Sequence, residues 1–313
     1  MFRAFSLVGA ALAFTLAVLG SWVRINGAGM TCPDWPLCHG QLIPSLAGGV
    51  VFEWTHRLVA FVVGWVVLAT LFLAWRERKR IAGLTAAIGF VAGVFVLQVC
   101  LGGLTVFLSN SPWSVVVHWA AAMLLLAGLT ALAILATVQP QRIAIRHSFL
   151  GGLLTVCALL VLATMCAGAY VSSSGAGLAC TTLPLCEGGS AMGASAAQHA
   201  QMAHRLLAGA LFLAATLATY VAALGTTTRV RVATLFAYAL IVLQVMLGFA
   251  NVAWQLPMVL REAHAANACA TFLAFIGALM FAAIDGTAPA RVREMTRVRS
   301  SQPSSGAAGA TLP

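Results

Sequence analysis

Glu53-Trp54-Thr55-His56-Arg57 returns 148 residues later as Gln201-Met202-Ala203-His204-Arg205. A second echo runs beside it. Gln98-Val99-Cys100-Leu101-Gly102, with His118 twenty residues beyond its glutamine, returns 146 residues later as Gln244-Val245-Met246-Leu247-Gly248 with His264. The chain is therefore read as two copies of one half, each with two histidines in apolar sequence. A histidine inside a membrane is costly unless it has a partner or a job. The mismatch of Glu53 against Gln201 suggests that the two copies do different work.

The surroundings of these motifs are those of a membrane protein. Of 313 residues, 61% are hydrophobic and 8% charged, with a mean hydropathy of +0.98. A soluble domain carries about 25% charged residues. A spanning helix needs roughly 20 apolar residues, and eight stretches qualify: about 5–23, 54–75, 84–107, 116–137, 149–171, 203–224, 232–254 and 265–284. The first continues into Arg24-Ile25-Asn26 without a small-residue cleavage site, so it reads as a retained helix. Short polar joints and the lack of strand-like alternation favour helices over a barrel. The expected fold is an all-α polytopic bundle of eight transmembrane helices, arranged as two pseudo-two-fold related four-helix bundles.

The net charge of +10 invites a nucleic-acid reading, but the placement of the charges argues against one. Under this topology 13 of the 17 basic residues fall on one side, among them Arg3, Arg76, Lys79, Arg142, Arg229 and Arg291. Arg24, Arg57, Arg205 and Arg261 fall on the other. The positive-inside rule then puts both termini in the cytoplasm. The expected organisation is an N-terminal four-helix half over 1–137, a cytoplasmic linker over 138–148, a C-terminal half over 149–284 and a disordered tail over 285–313. Four spans per half make the repeats parallel, related by an axis along the membrane normal. Duplication without retained function in one half is the plainer account, but the costly residues are kept in both.

This topology puts His56 and His118 at similar depth near the outer face, and His204 and His264 likewise. Two imidazoles on neighbouring helices can bind opposite faces of a haem, and a helical bundle supplies a dry pocket for it. Pairing within each half and pairing of His56 with His204 both remain open. Arg57 and Arg205 suit haem propionates or simple snorkelling to the interface. Glu53 shares a helix face with His56. It is a candidate to orient the imidazole or to move protons, and Gln201 cannot take a proton. Gln98 and Gln244 read as helix-to-helix hydrogen-bonding groups.

Cys32 and Cys38 bracket five residues in the first outer loop, and Cys180 and Cys186 bracket five in its repeat. Outside the cytoplasm such pairs read as two short disulfides bracing the pocket mouths. A metal site on Cys32, Cys38 and His39 and a redox-active pair are the alternatives. There is no C-x-x-C-H for covalent haem attachment.

Taken in order, these motifs resemble bacterial haem A synthase over residues 1–285. The resemblance implies a membrane oxidoreductase of the bacterial plasma (inner) membrane. Such an enzyme oxidises the C8 methyl of haem O to a formyl group by successive hydroxylations, giving haem A for terminal oxidases. It implies a haem b cofactor on His204 and His264, substrate haem on His56 and His118, a required Glu53 and a Cys32–Cys38 disulfide. Haem O synthase and cytochrome oxidase assembly factors are the implied protein partners. The electron donor and any homo-oligomer stay open. Two rivals do without the chemistry: a di-haem b electron carrier, which needs the same four histidines, and a haem transporter or chaperone, which would need exchangeable ligation and a cavity open to both sides.

Overall fold

A computed structural model describes residues 1–143 and 148–285. The tail 286–313 and part of the linker, with Arg146 and His147, lie outside the described residues. Eight long helices account for most of the rest: α1 Phe2–Ile25, α2 Val50–Glu77, α3 Leu84–Phe107, α4 Pro112–Val138, α5 Phe149–Ser173, α6 Ala196–Leu224, α7 Thr228–Ala253 and α8 Met258–Asp285. All eight are long and apolar enough to cross a membrane. Among the described residues there is no strand, only an isolated bridge between Cys38 and Gln41.

Local chemistry sets the helix ends. Ser148 accepts from the Gly151 amide to cap α5, and Thr227 caps α7 through Val230. Ser195 and Gln198 form a reciprocal capping box at the start of α6. Pro112 occupies the first turn of α4, where its missing N–H costs nothing. The α4 and α6 signals lie outside the apolar stretches, and four outer helix starts differ from expectation. Helices α2, α4, α6 and α8 begin at Val50, Pro112, Ala196 and Met258, not near 54, 116, 203 and 265. Polar residues such as Gln198, Gln201 and Glu262 are helical there, although hydropathy excludes them. His56 accordingly sits in the second turn of α2 rather than the first.

In each half the same pairs pack: α1 with α2, α3 with α4 and α1 with α4; then α5 with α6, α7 with α8 and α5 with α8. The halves meet where α4 lies on α8, flanked by α1 on α8 and α5 on α4. This reciprocal pattern is what a two-fold relation produces. Helix α4 serves both cores. Met123 and Leu126 join a cluster with α5–α8, while Leu125, Leu129 and Leu132 join one with α2 and α3. Lipid is as apolar as leucine, so close packing has to hold the bundle. Ala215, Ala218, Ala237 and Ala278 are fully buried in the second core, where small side chains let backbones approach. Phe61, Trp65, Phe72, Leu213 and Phe236 point outward, as lipid-facing residues do.

An even number of spans brings both described ends to one face. There Met1, Arg3, Glu77, Arg80 and Gln139 line a shallow cavity, and Arg229 pairs with Asp285. The loops 26–49 and 174–195 close the opposite face.

Candidate functional site

The histidines are set by neighbouring helices. His204 and His264 face each other with ring centroids 6.4 Å apart. His204 Nδ1 lies 3.0 Å from the Thr164 carbonyl of α5, a contact that holds a ring in place by its second nitrogen. In the second half the two rings come together; in the first, His56 lies over Gly20 of α1 and His118 over Gly102 of α3.

Each ring lies over a glycine of the adjacent helix. A Cβ added at Gly20 would fall 3.0 Å from His56 Cε1, and one at Gly168 would fall 2.9 Å from His204 Cε1. Gly102 and Gly248 stand in the same relation to His118 and His264, at 3.4 Å. Gly20 and Gly168 are 148 residues apart and Gly102 and Gly248 are 146 apart, the offsets of the histidines themselves. That register was a legible signal that hydropathy reading passes over.

These residues fit a haem. Nδ1 of His56, His118 and His264 is buried without a partner, which is costly unless a ligand or water completes the ring's bonding. At about 2.0–2.1 Å per metal–imidazole bond, one metal ion between two rings sets their centroids roughly 6 Å apart, and His204 and His264 stand at 6.4 Å.

Above the rings, each disulfide loop is tied to the following helix. Cys32–Cys38 and Cys180–Cys186 are both disulfides, with Cα separations of 4.7 and 4.8 Å. Neither pair therefore offers a thiolate to a metal, so the Cys32, Cys38 and His39 metal alternative does not hold. His39 turns instead to the Thr31 carbonyl, 2.9 Å away. Glu53 is buried; one carboxylate oxygen accepts from the Cys32 amide at 2.8 Å and the Thr31 hydroxyl at 3.0 Å. The other accepts from Arg57 at 2.6 Å. Arg57 also donates to the carbonyls of Asp34, Leu37 and Cys32.

The second half repeats the arrangement with a neutral anchor. Gln201 accepts from the Cys180 amide at 2.5 Å and donates to the Gly177 carbonyl at 2.8 Å. Arg205 donates to the carbonyls of Thr182, Pro184, Leu185 and Cys180. Both arginines therefore do a job that motif reading did not assign: they hold the loop over the helix. A propionate would have to share them. Trp35 adds a clamp of its own, packing on α3 over Gly103.

The loop carboxylate Asp34 accepts from the amides of His39 and Gly40, both at 2.7 Å. The Gly40 contact leads in holding this carboxyl below its usual 3.8. A carboxyl lowered on folding stabilises the fold above its unfolded value and loses that effect as pH falls through its folded value. Amide exchange at His39 and Gly40, corrected for intrinsic rates, is expected to hold steady down to about pH 4 and to accelerate below. Exchange insensitive to pH across that range would remove Asp34 from the loop's support.

A further buried polar group was not expected. Arg24 of α1 donates to Ser172 of α5, its own counterpart in the repeat. Ser21 and Glu262 lie close by, with their side-chain oxygens turned inward. Residues equivalent in the two copies can touch only near the axis relating them, so this cluster sits between the halves.

Comparison with known proteins gives a family. The family model described as COX15-CtaA, cytochrome oxidase assembly protein, matches residues 3–50 and 47–276. The chain is similar to the haem A synthase of Shewanella oneidensis, 28% identical over 85% of this chain and 92% of the relative. It is similar to that of Bacillus pumilus, 29% identical over 67% and 71%. A third, from Exiguobacterium sibiricum, is 32% identical over 68% of this chain and 73% of its own.

Proposed function

The chain belongs to the COX15-CtaA family of cytochrome oxidase assembly proteins, and from that premise we infer a membrane oxidoreductase that works as a haem A synthase. Its substrate is haem O, whose C8 methyl it oxidises to a formyl group. The observation that carries the division of labour is the mismatch of two otherwise parallel anchors: Glu53 in the first half, Gln201 in the second. The first half, with His56 and His118, receives haem O. The second, with His204 and His264, keeps a haem b, which supplies a one-electron carrier when bound.

The chain's own groups then divide the remaining tasks. Each imidazole pair orients a macrocycle, and each glycine leaves room for its ring. The braced loops limit water at the mouths of the sites. Glu53, three residues before His56 on one helix face, is the group able to take or give a proton at the first site. Its carboxylate also anchors the Cys32 loop, so in this reading it joins the loop's closure to the chemistry below. The loops face the outside of the plasma membrane and both termini face the cytoplasm, by the distribution of arginine and lysine.

Two measurements test the reading. Pigment extraction and mass analysis of purified protein should give haem b together with haem O or haem A. Two haem b groups alone would favour a non-catalytic di-haem carrier. For orientation, an impermeant thiol reagent applied from outside after reduction should reach Cys32 and Cys180. Labelling from the cytoplasmic side alone would invert the topology.

A further inference from the structure

Each half carries a glutamine twenty residues before its second histidine, and the two amides are held differently. In the second half Gln244 donates to the His264 backbone carbonyl at 3.0 Å. Its amide oxygen accepts from Asn267 at 2.7 Å, and Asn267 is itself fixed by the Leu240 carbonyl at 2.9 Å. Both ends of Gln244 are thus occupied away from the His264 ring. In the first half the residue in register with Asn267 is Ala121, which has no group to hold an amide. Gln98 Nε2 instead lies 3.5 Å from His118 Nε2, and Gln98 Oε1 is buried with no partner.

The nitrogen that Gln98 meets is one of the two through which an imidazole can bind a metal. A neutral imidazole offers one lone pair, and an amide N–H donated to it competes with a metal for the same electrons. An unpaired buried amide oxygen is also costly, so the Gln98 side chain has no second contact to keep it where it is.

We propose that Gln98 is a placeholder for His118 Nε2: it occupies that nitrogen when the first half holds no haem and gives way when haem enters. Ligation there becomes an exchange of partners, which weakens the grip on haem and favours release of product. Asn267 withdraws the same device from the second half, so haem there stays bound. The proposal rests on the reading of the first half as the substrate site and the second as the resident-cofactor site.

The sign of one effect separates this from the opposite arrangement. If His118 binds iron through Nδ1, Gln98 keeps its contact in the loaded state and supports ligation. Removing the amide then weakens haem binding. If Gln98 is a placeholder, removing it strengthens binding. The worth of one hydrogen bond sets the expected scale, about 2- to 10-fold.

The experiment uses full-length protein in detergent, loaded with purified haem O, with apomyoglobin as the acceptor of released haem. Gln98→Leu is expected to slow haem O release by about 2- to 10-fold. Ala121→Asn, which installs the second half's clamp, is expected to act in the same direction and guards against a folding defect in the first variant. Asn267→Ala frees Gln244 and is expected to speed loss of haem b. Release from Gln98→Leu and Ala121→Asn at the original rate or faster overturns the placeholder. A His118→Ala control keeps the two readings apart. If that change leaves haem O binding intact, the site assignment itself has failed.

Discussion

Glu53→Gln protein is expected to fold, to keep both disulfides and to lose haem A formation by about 10²–10⁴-fold, the usual worth of a general acid–base group. The second half supplies the reason to expect a sound fold. Gln201 accepts from the Cys180 amide as Glu53 accepts from the Cys32 amide, so a glutamine at 53 can hold the loop. Arg57 would still donate to the carbonyls of Asp34, Leu37 and Cys32. What disappears is the charge and the proton site. Glu53→Ala is a poorer probe, because it also removes the acceptor for the Cys32 amide and the Thr31 hydroxyl, and a buried donor left unsatisfied costs about 1–3 kcal/mol and would confound folding with chemistry. The measurements are extracted haem A per protein, and free thiol content as the check on the loop. Normal haem A output from Glu53→Gln would make Glu53 a loop anchor of the same kind as Gln201.

The second large effect needs no change to a histidine. Gly168→Leu is expected to strip haem b from the second half although His204 is still present. A Cβ at 168 would stand 2.9 Å from His204 Cε1, closer than atoms pack, and a leucine adds more bulk along the same line. The ring would have to swing out of its place, and its contact with the Thr164 carbonyl would go with it. Gly20→Leu is expected to do the same to His56, lowering haem O content while sparing haem b. Gly209→Ala in α6, where nothing lies within 4 Å, is the control and should leave both pigments intact. The readout is the haem spectrum and extracted pigment per protein. A normal haem b content in Gly168→Leu would show that His204 does not serve as a ligand from this position.

Burial between the halves brings polar groups of the two copies together. Arg24 and Ser172 meet where the two copies face each other, with Glu262 and Ser21 beside them. Sequence periodicity alone did not reveal this contact between equivalent positions.

The features legible in the sequence were those set by local composition and by repetition. Eight apolar stretches declare eight helices, because the bilayer demands a length and forbids unpaired backbone. The repeated His56/His204 and His118/His264 registers declare two like sites, because such residues are costly inside a membrane. Paired cysteines at equal spacing declared two braced loops. Helix starts such as Pro112 and Ala196 were missed because capping chemistry and polar turns, not hydropathy, decide where those outer helices begin. The remaining features depend on which helix faces meet, and no periodicity within one helix carries that. Only the packed bundle put His204 beside His264 rather than another ring. Only there did Arg57 and Arg205 turn out to grip loop carbonyls, and only there did Asn267 come within 2.7 Å of Gln244 while Ala121 left Gln98 loose. A side chain's reach is a few ångströms, so its partner is chosen by the helix that packs against it, and that choice is made by the whole fold.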